Sequence, residues 1–118
     1  MQERRVTDYL PMSEAMFHVL VALADGDKHG YSIMKDVAER TSGGVQLSTG
    51  TLYGIVKRLL ADGLIVEVRR RSTPDESARK RRAYTLTAFG RDVAKAEAAR
   101  LNKLVTAARA ASLIARTS

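Results

Sequence analysis

The chain has 118 residues, a net charge of +7 and no cysteine, which fits one domain able to remove about 65% of its unfolded surface from water without a metal or disulfide staple, and excludes disulfide and thiolate chemistry. No apolar run approaches the ~20 residues of a membrane span, and the start "MQERRVTDYLP" lacks the roughly 7–15 apolar residues of a signal peptide. The expectation is a cytoplasmic protein with no membrane partner.

Residues 1–9 read as an N-terminal arm, in which Arg4 and Arg5 are either disordered or a further phosphate contact. Ser13 is a candidate N-cap for a first helix whose Met16, Val19, Leu20 and Leu23 recur at i, i+3, i+4 and i+7, with Gly26 as its stop. A second helix follows the turn "DGDKHG", with Ile33, Met34, Val37 and Ala38 on one side and Gly43 and Gly44 as terminators. The third begins at Ser48 or Thr49, turns Leu52, Ile55, Val56, Leu59 and Leu60 inward and ends at Gly63. It carries Gly50 and Gly54 in its first two turns, although a glycine inside a helix costs about 0.5–1 kcal/mol relative to alanine. One reason to accept that cost is a partner that comes close to the backbone.

Beyond Gly63 the apolar period changes from that of a helix to that of a strand. Leu64, Val66 and Val68 alternate with Glu67 and Arg69, Tyr84 and Leu86 alternate across Thr85, and "STPDESA" between them is turn-forming. The spacing predicts a β-hairpin, or wing, over residues 65–87 with an apolar base and a charged tip. Arg69, Arg70, Arg71, Arg79, Lys80, Arg81 and Arg82 stand there against Asp75 and Glu76, a net +5 of the chain's +7. Such concentration suits contact with a polyanion. Alternate strand residues point to opposite faces, so a subset of these cations is expected to track phosphates or enter a minor groove.

From residue 88 to 118 the chain is alanine-rich and strongly helix-forming, enough for a helix of roughly 40 Å. A small domain cannot cover all of it, and Leu101, Leu104, Val105, Ala108, Ala111 and Leu113 form a stripe suited to a second copy of the same helix. A twofold homodimer through this helix is therefore expected. A candidate effector pocket lies between the first helix and the partner's C-terminal helix, lined by Met12, Met16, Leu101 and Val105.

Three helices followed by a hairpin is the order of a winged helix-turn-helix, so the fold class is mainly α with a β-hairpin: residues 10–87 form the DNA-binding domain and 88–118 the dimerisation helix. In this arrangement the third helix enters the major groove of double-stranded DNA. Ser48, Thr49, Gly50 and Thr51 at its start then meet phosphates and base edges, and Tyr53, Lys57 and Arg58 add donors. His29 reads as a capping or packing residue, Gly30 as a tight helix entry, and Tyr31 and Tyr84 as core anchors in preference to DNA contacts. No cofactor, metal site or catalytic residue is expected: with His18 and His29 as its histidines the chain has no HExxH, P-loop or G-x-S-x-G pattern. The alternative is a winged-helix module that binds an acidic protein partner.

"HGY" (29–31), "GTLY" (50–53), "RLLADGLI" (58–65) and "YTLTAFG" (84–90), in this order and spacing, resemble the PadR family of bacterial transcriptional regulators over about residues 10–90. The single C-terminal helix is similar to that of its short members. The resemblance implies a repressor that binds an inverted-repeat operator as a homodimer and is released by a small-molecule effector or a stress signal. Two departures bear on this. Gly54 stands where the family commonly has proline, and the chain has no tryptophan, so a clamp of tryptophans around a flat aromatic drug does not transfer.

Overall fold

Side-chain caps start α1, α3 and α4, whereas His29 at the start of α2 makes no side-chain cap, and left-handed residues end three of the helices. The Ser13 hydroxyl accepts from the Met16 N–H at 3.1 Å and begins α1, Glu14–Leu23. Two extended residues, Lys28–His29, form β1 and lead straight into α2, Gly30–Arg40. Ser48, not Thr49, caps α3, Thr49–Ala61, and Thr87 caps α4, Ala88–Ala110. Between α3 and α4 run the hairpin strands β2, Ile65–Arg69, and β3, Arg82–Leu86. The computed structural model describes residues 4–69 and 82–115. Of the expected wing cations, Arg70, Arg71, Arg79, Lys80 and Arg81 lie outside the described residues.

The ends of α2, α3 and α4 share one hydrogen-bond pattern, in which a residue with positive φ turns the chain and two N–H groups reach back to the last free carbonyls. At α3 this residue is Gly63 (φ 75°), with Leu64 N–H donating to Leu59 C=O at 2.9 Å. At α2 the turn takes two left-handed residues, Ser42 (φ 50°) and then Gly43 (φ 81°) of the expected Gly43–Gly44 pair, with Gly43 N–H donating to Ala38 C=O at 2.8 Å. At α4 it is Ser112 (φ 62°), with Leu113 N–H donating to Ala108 C=O at 2.9 Å. The C-terminal helix therefore stops at Ala110, short of the expected 118, and Ala111 and Leu113 lie beyond it. Alanine propensity favours continuation, but the serine turn satisfies the end carbonyls and closes the helix.

The sheet has three strands in the order β1-β3-β2, all antiparallel. Two residues are too short to show an alternation, so the sequence carries no signal for β1. This strand pairs Lys28 with Tyr84 and His29 with Ala83, which makes β3 the central strand. In β2 the apolar row is shifted relative to expectation: Leu64 and Ile65 are both buried, while Val66 is 45% exposed. Leu64 belongs to the corner after α3, so counting by twos from it carries Val66 to the wrong face. Tyr84 is buried as expected, whereas Tyr31, also expected in the core, is 75% exposed at the start of α2.

Val19, Leu20 and Leu23 of α1, Ile33 and Val37 of α2, Leu52, Val56 and Leu59 of α3, and Leu64, Ile65, Tyr84 and Val93 form one core. The chain before α1 packs on it from outside. A 3-10 turn, Val6–Tyr9, sets the Tyr9 ring edge-on to Phe89 of α4, 5.7 Å between centroids. Arg4 pairs with Asp62 at 2.6 Å, at the end of α3, and donates to the Tyr9 hydroxyl at 3.2 Å. Arg4 is thus held by an ion pair within the fold.

Candidate nucleic-acid interface

At 100° per residue, Gly50, Gly54, Lys57 and Ala61 line the side of α3 opposite its buried row of Leu52, Val56 and Leu59. A Cβ built on either Gly50 or Gly54 would meet nothing within 4 Å, so neither glycine makes room for another part of this chain. Other glycines do. A Cβ on Gly90 would fall inside contact distance of the Leu64 carbonyl, and one on Gly30 would sit 2.6 Å from the Tyr53 hydroxyl oxygen. "YTLTAFG" therefore ends on a glycine required by close backbone packing, while "HGY" and "GTLY" meet each other: Gly30 is the seat of the Tyr53 ring.

The first turn of α3 is organised by its own hydroxyls. Ser48 Oγ accepts from Thr51 N–H at 3.1 Å and donates to Thr51 Oγ1 at 2.9 Å. Part of the hydrogen-bonding capacity of Ser48 is thereby spent on the helix, and the Thr51 hydroxyl keeps a proton to donate outward. Ser48, Thr49, Gly50, Thr51, Lys57 and Arg58 are all exposed, and Tyr53 is half-buried against α2. The turn into α3 is held by Thr41, whose hydroxyl donates to Val37 C=O at 2.8 Å and accepts from Val45 N–H at 3.0 Å.

The junction of β1 and α2 joins this surface to the hairpin. His29 Nδ1 lies 3.0 Å from the carbonyl oxygen of Arg82 and so, as the N–H tautomer, donates to it, while the next residue, Gly30, carries Tyr53. The base of the wing and the early turns of α3 thus sit on the two sides of the His29–Gly30 pair. Arg69 and Arg82, the last described pair of the hairpin, are cross-strand neighbours and exposed. Arg82 also faces Glu67 at 3.7 Å, which fixes its direction weakly at such an exposed pair. Tyr31 completes this region at the second position of α2; the motif "HGY" was its only signal in the sequence.

Leu101 and Ala108 are half-buried, Leu104 is 56% and Val105 36% exposed, and Ala111 and Leu113 are exposed past the helix end. Met12 and Met16 pack against the core. Met12 N–H donates to Glu97 of the α4 of the same chain at 2.8 Å. Among the described residues no group of three or more His, Cys, Asp or Glu side chains is placed to hold a metal ion. None of their helices is long and apolar enough to cross a membrane.

The model of the transcriptional regulator PadR-like family matches residues 19–96. A 37.1 kDa protein in transposon TN4556 of Streptomyces fradiae is 36% identical over 92 residues, 78% of this chain and 24% of the relative. Transcriptional regulator Rv3488 of Mycobacterium tuberculosis is 36% identical over 74 residues, 63% of each chain. The chain thus spans less than two thirds of either relative. Among solved structures, a PadR family transcription regulator from Clostridium difficile R20291 superposes with a TM-score of 0.68 at 26% identity, covering 82% of this chain and 96% of that one. The fold is also that of Bacillus subtilis PadR in complex with operator DNA, with a TM-score of 0.59 at 23% identity over 70% of this chain and 45% of that one.

Proposed function

Because this chain belongs to the PadR-like family of transcriptional regulators, we propose that it acts in the cytoplasm as a homodimeric repressor which binds an inverted-repeat operator and leaves it when an effector or stress signal arrives. α3 enters the major groove with Gly50 and Gly54 toward the DNA. Thr49 and Thr51 meet phosphates at the positive end of the helix, and Lys57 and Arg58 lie along the groove. Ser48 serves first as the cap. Arg69 and Arg82 carry the wing onto the neighbouring backbone, and Tyr31 offers its hydroxyl to a flanking phosphate. The exposed Leu104 and Val105 of the distal α4, with the half-buried Leu101 and Ala108 beside them, pair with those of a second copy.

The observation that carries this reading is the pair of outward glycines. They weaken α3 and release no space inside the fold, so the cost is explained by an external body that approaches the helix backbone. Twofold pairing presents two such surfaces, as an inverted repeat requires.

The test begins with the duplex that the protein selects from a random-sequence pool, titrated by fluorescence anisotropy. Lys57→Ala should weaken binding to that duplex with little change in melting temperature. With six or more phosphate contacts, affinity should fall about 10³-fold between 50 and 200 mM salt. A scrambled duplex should bind far more weakly. Equal affinity for any duplex, or tighter binding to an acidic protein, refutes the operator reading in favour of a protein-association module.

A further inference from the structure

Glu97 is the buried charged side chain among the described residues, at 1% exposure, and it stands where α4 leaves the winged domain. Val93, one turn earlier, lies in the core, while Leu104 and Val105, two turns later, are exposed. The Glu97 carboxylate accepts from Met12 N–H at 2.8 Å and from both Nε and Nη2 of Arg100, the latter at 3.0 Å. Met12 directly precedes Ser13, the cap of α1. One side chain of α4 therefore grips the chain at the entrance to the first helix of the DNA-reading domain.

Stability is a weak reason for this arrangement. Desolvating a carboxylate offsets most of what its ion pair returns, and an apolar side chain of similar volume usually serves a core as well or better. A hydrogen bond to a backbone N–H has something that apolar packing lacks, which is direction. We propose that Glu97 is a positioning residue for operator recognition: it fixes the angle at which α4 leaves the winged domain, and through it the spacing of the two DNA-reading surfaces. The proposal rests on the DNA-binding homodimer described above.

The geometry gives the size of the effect. Release of Glu97 leaves the contacts around Phe89 and Val93 as a pivot, and from Val93 to the end of α4 at Ala110 the helix runs about 25 Å. A swing of about 10° there displaces the domain by about 4.5 Å relative to the far end of α4. Two protomers together shift the reading surfaces by about 9 Å, and a base pair rises about 3.4 Å. A slack of this size spans about two to three base pairs of half-site spacing.

The chain has no cysteine, so spin labels on Glu39→Cys of α2 and Arg109→Cys of α4 are unique, and dilution with unlabelled chain leaves one labelled copy per dimer. The label-to-label distance distribution is compared between the full chain with Glu97 and with Glu97→Leu. In parallel, both unlabelled proteins are titrated against the duplex selected by the wild type and against the same duplex with two base pairs inserted at its centre. The expected result is a distribution at least twice as wide in Glu97→Leu, and a spacing discrimination that falls from tenfold or more to threefold or less. Equal widths, or an unchanged discrimination by a folded and dimeric variant, overturn the proposal. Should Glu97→Leu not fold, Glu97→Gln decides by the same measurements. It keeps an acceptor for Met12 N–H but loses the charge that Arg100 holds, so a smaller broadening supports the proposal and none overturns it. Failure of the wild type to select any duplex would sink the DNA-binding reading and the operator role of Glu97 with it, while the distances separately report whether Glu97 sets the angle.

Discussion

Gly54→Ala should make this protein more stable and a poorer DNA binder. Gly54 lies in the interior of α3, and a Cβ there meets nothing within 4 Å, so the methyl group introduces no internal clash. Alanine at such a position gains about 0.5–1 kcal/mol over glycine, mainly by restricting the unfolded chain. For a domain of this size 1 kcal/mol corresponds to about 4–8 °C, so the melting temperature should rise by about 2–8 °C. The same methyl group stands on the side of the helix assigned to the groove. A loss of at least tenfold in affinity for the selected duplex, about 1.4 kcal/mol, is expected if the backbone approaches DNA closely. Circular dichroism melts at fixed protein concentration and anisotropy titrations at fixed salt read the two effects separately. A higher melting temperature with unchanged affinity would show that the glycine is not there for close approach and would refute the placement of the outward glycines against DNA. Gly63→Ala is the contrasting control. Its surroundings are equally open, but its φ of 75° is strained for any side chain, so stability should drop by about 1–2 kcal/mol.

Further outcomes follow from the packing and the charges. Gly90→Ala forces a methyl group onto the Leu64 carbonyl, which also accepts from Thr87 N–H at 3.0 Å; overpacking of rigid backbone should cost about 3 kcal/mol or more in urea unfolding, and a loss below 1 kcal/mol would refute the close contact. Ser48→Ala removes the cap of α3 and should cost about 1 kcal/mol, read from the same unfolding curves. Glu97 is held below its ordinary pKa of 4.5, first by the hydrogen bond from Arg100 and then, against the opposing effect of burial, by Met12 N–H. A carboxylate lowered in the folded state contributes stability that is fully present above its unfolded value and lost as pH falls through the folded one. Urea unfolding should therefore show a loss of stability below about pH 4.5 that is smaller in Glu97→Gln, and identical pH profiles would contradict the ion pair.

Much of the fold was legible because local chemistry and tertiary packing agree. The apolar periods of α1, α2 and α3 mark the residues that are buried, Ser13 and Ser48 cap as their hydroxyls permit, and Gly63 turns the chain where only glycine is unstrained. The outward row of Gly50, Gly54 and Lys57 was likewise readable, because its spacing is a property of the helix itself. Other features depend on residues far apart in the sequence. The pairing of Lys28–His29 with β3, the seat of Tyr53 on Gly30, and the exposure of Tyr31 and Val66 follow from which surfaces meet, and a stretch of two residues carries no period to announce it.

Sequence by itself determined the helical periods, the caps at Ser13 and Ser48 and the concentration of positive charge in the hairpin segment, since each rests on interactions within a few residues or on composition. Only the tertiary structure decided that β1 fills the edge of the sheet and that Glu97 of α4 holds the entrance to α1. The reason is physical. A buried carboxylate is tolerable only where a distant N–H and a cation converge on it, and that convergence exists once the chain has folded.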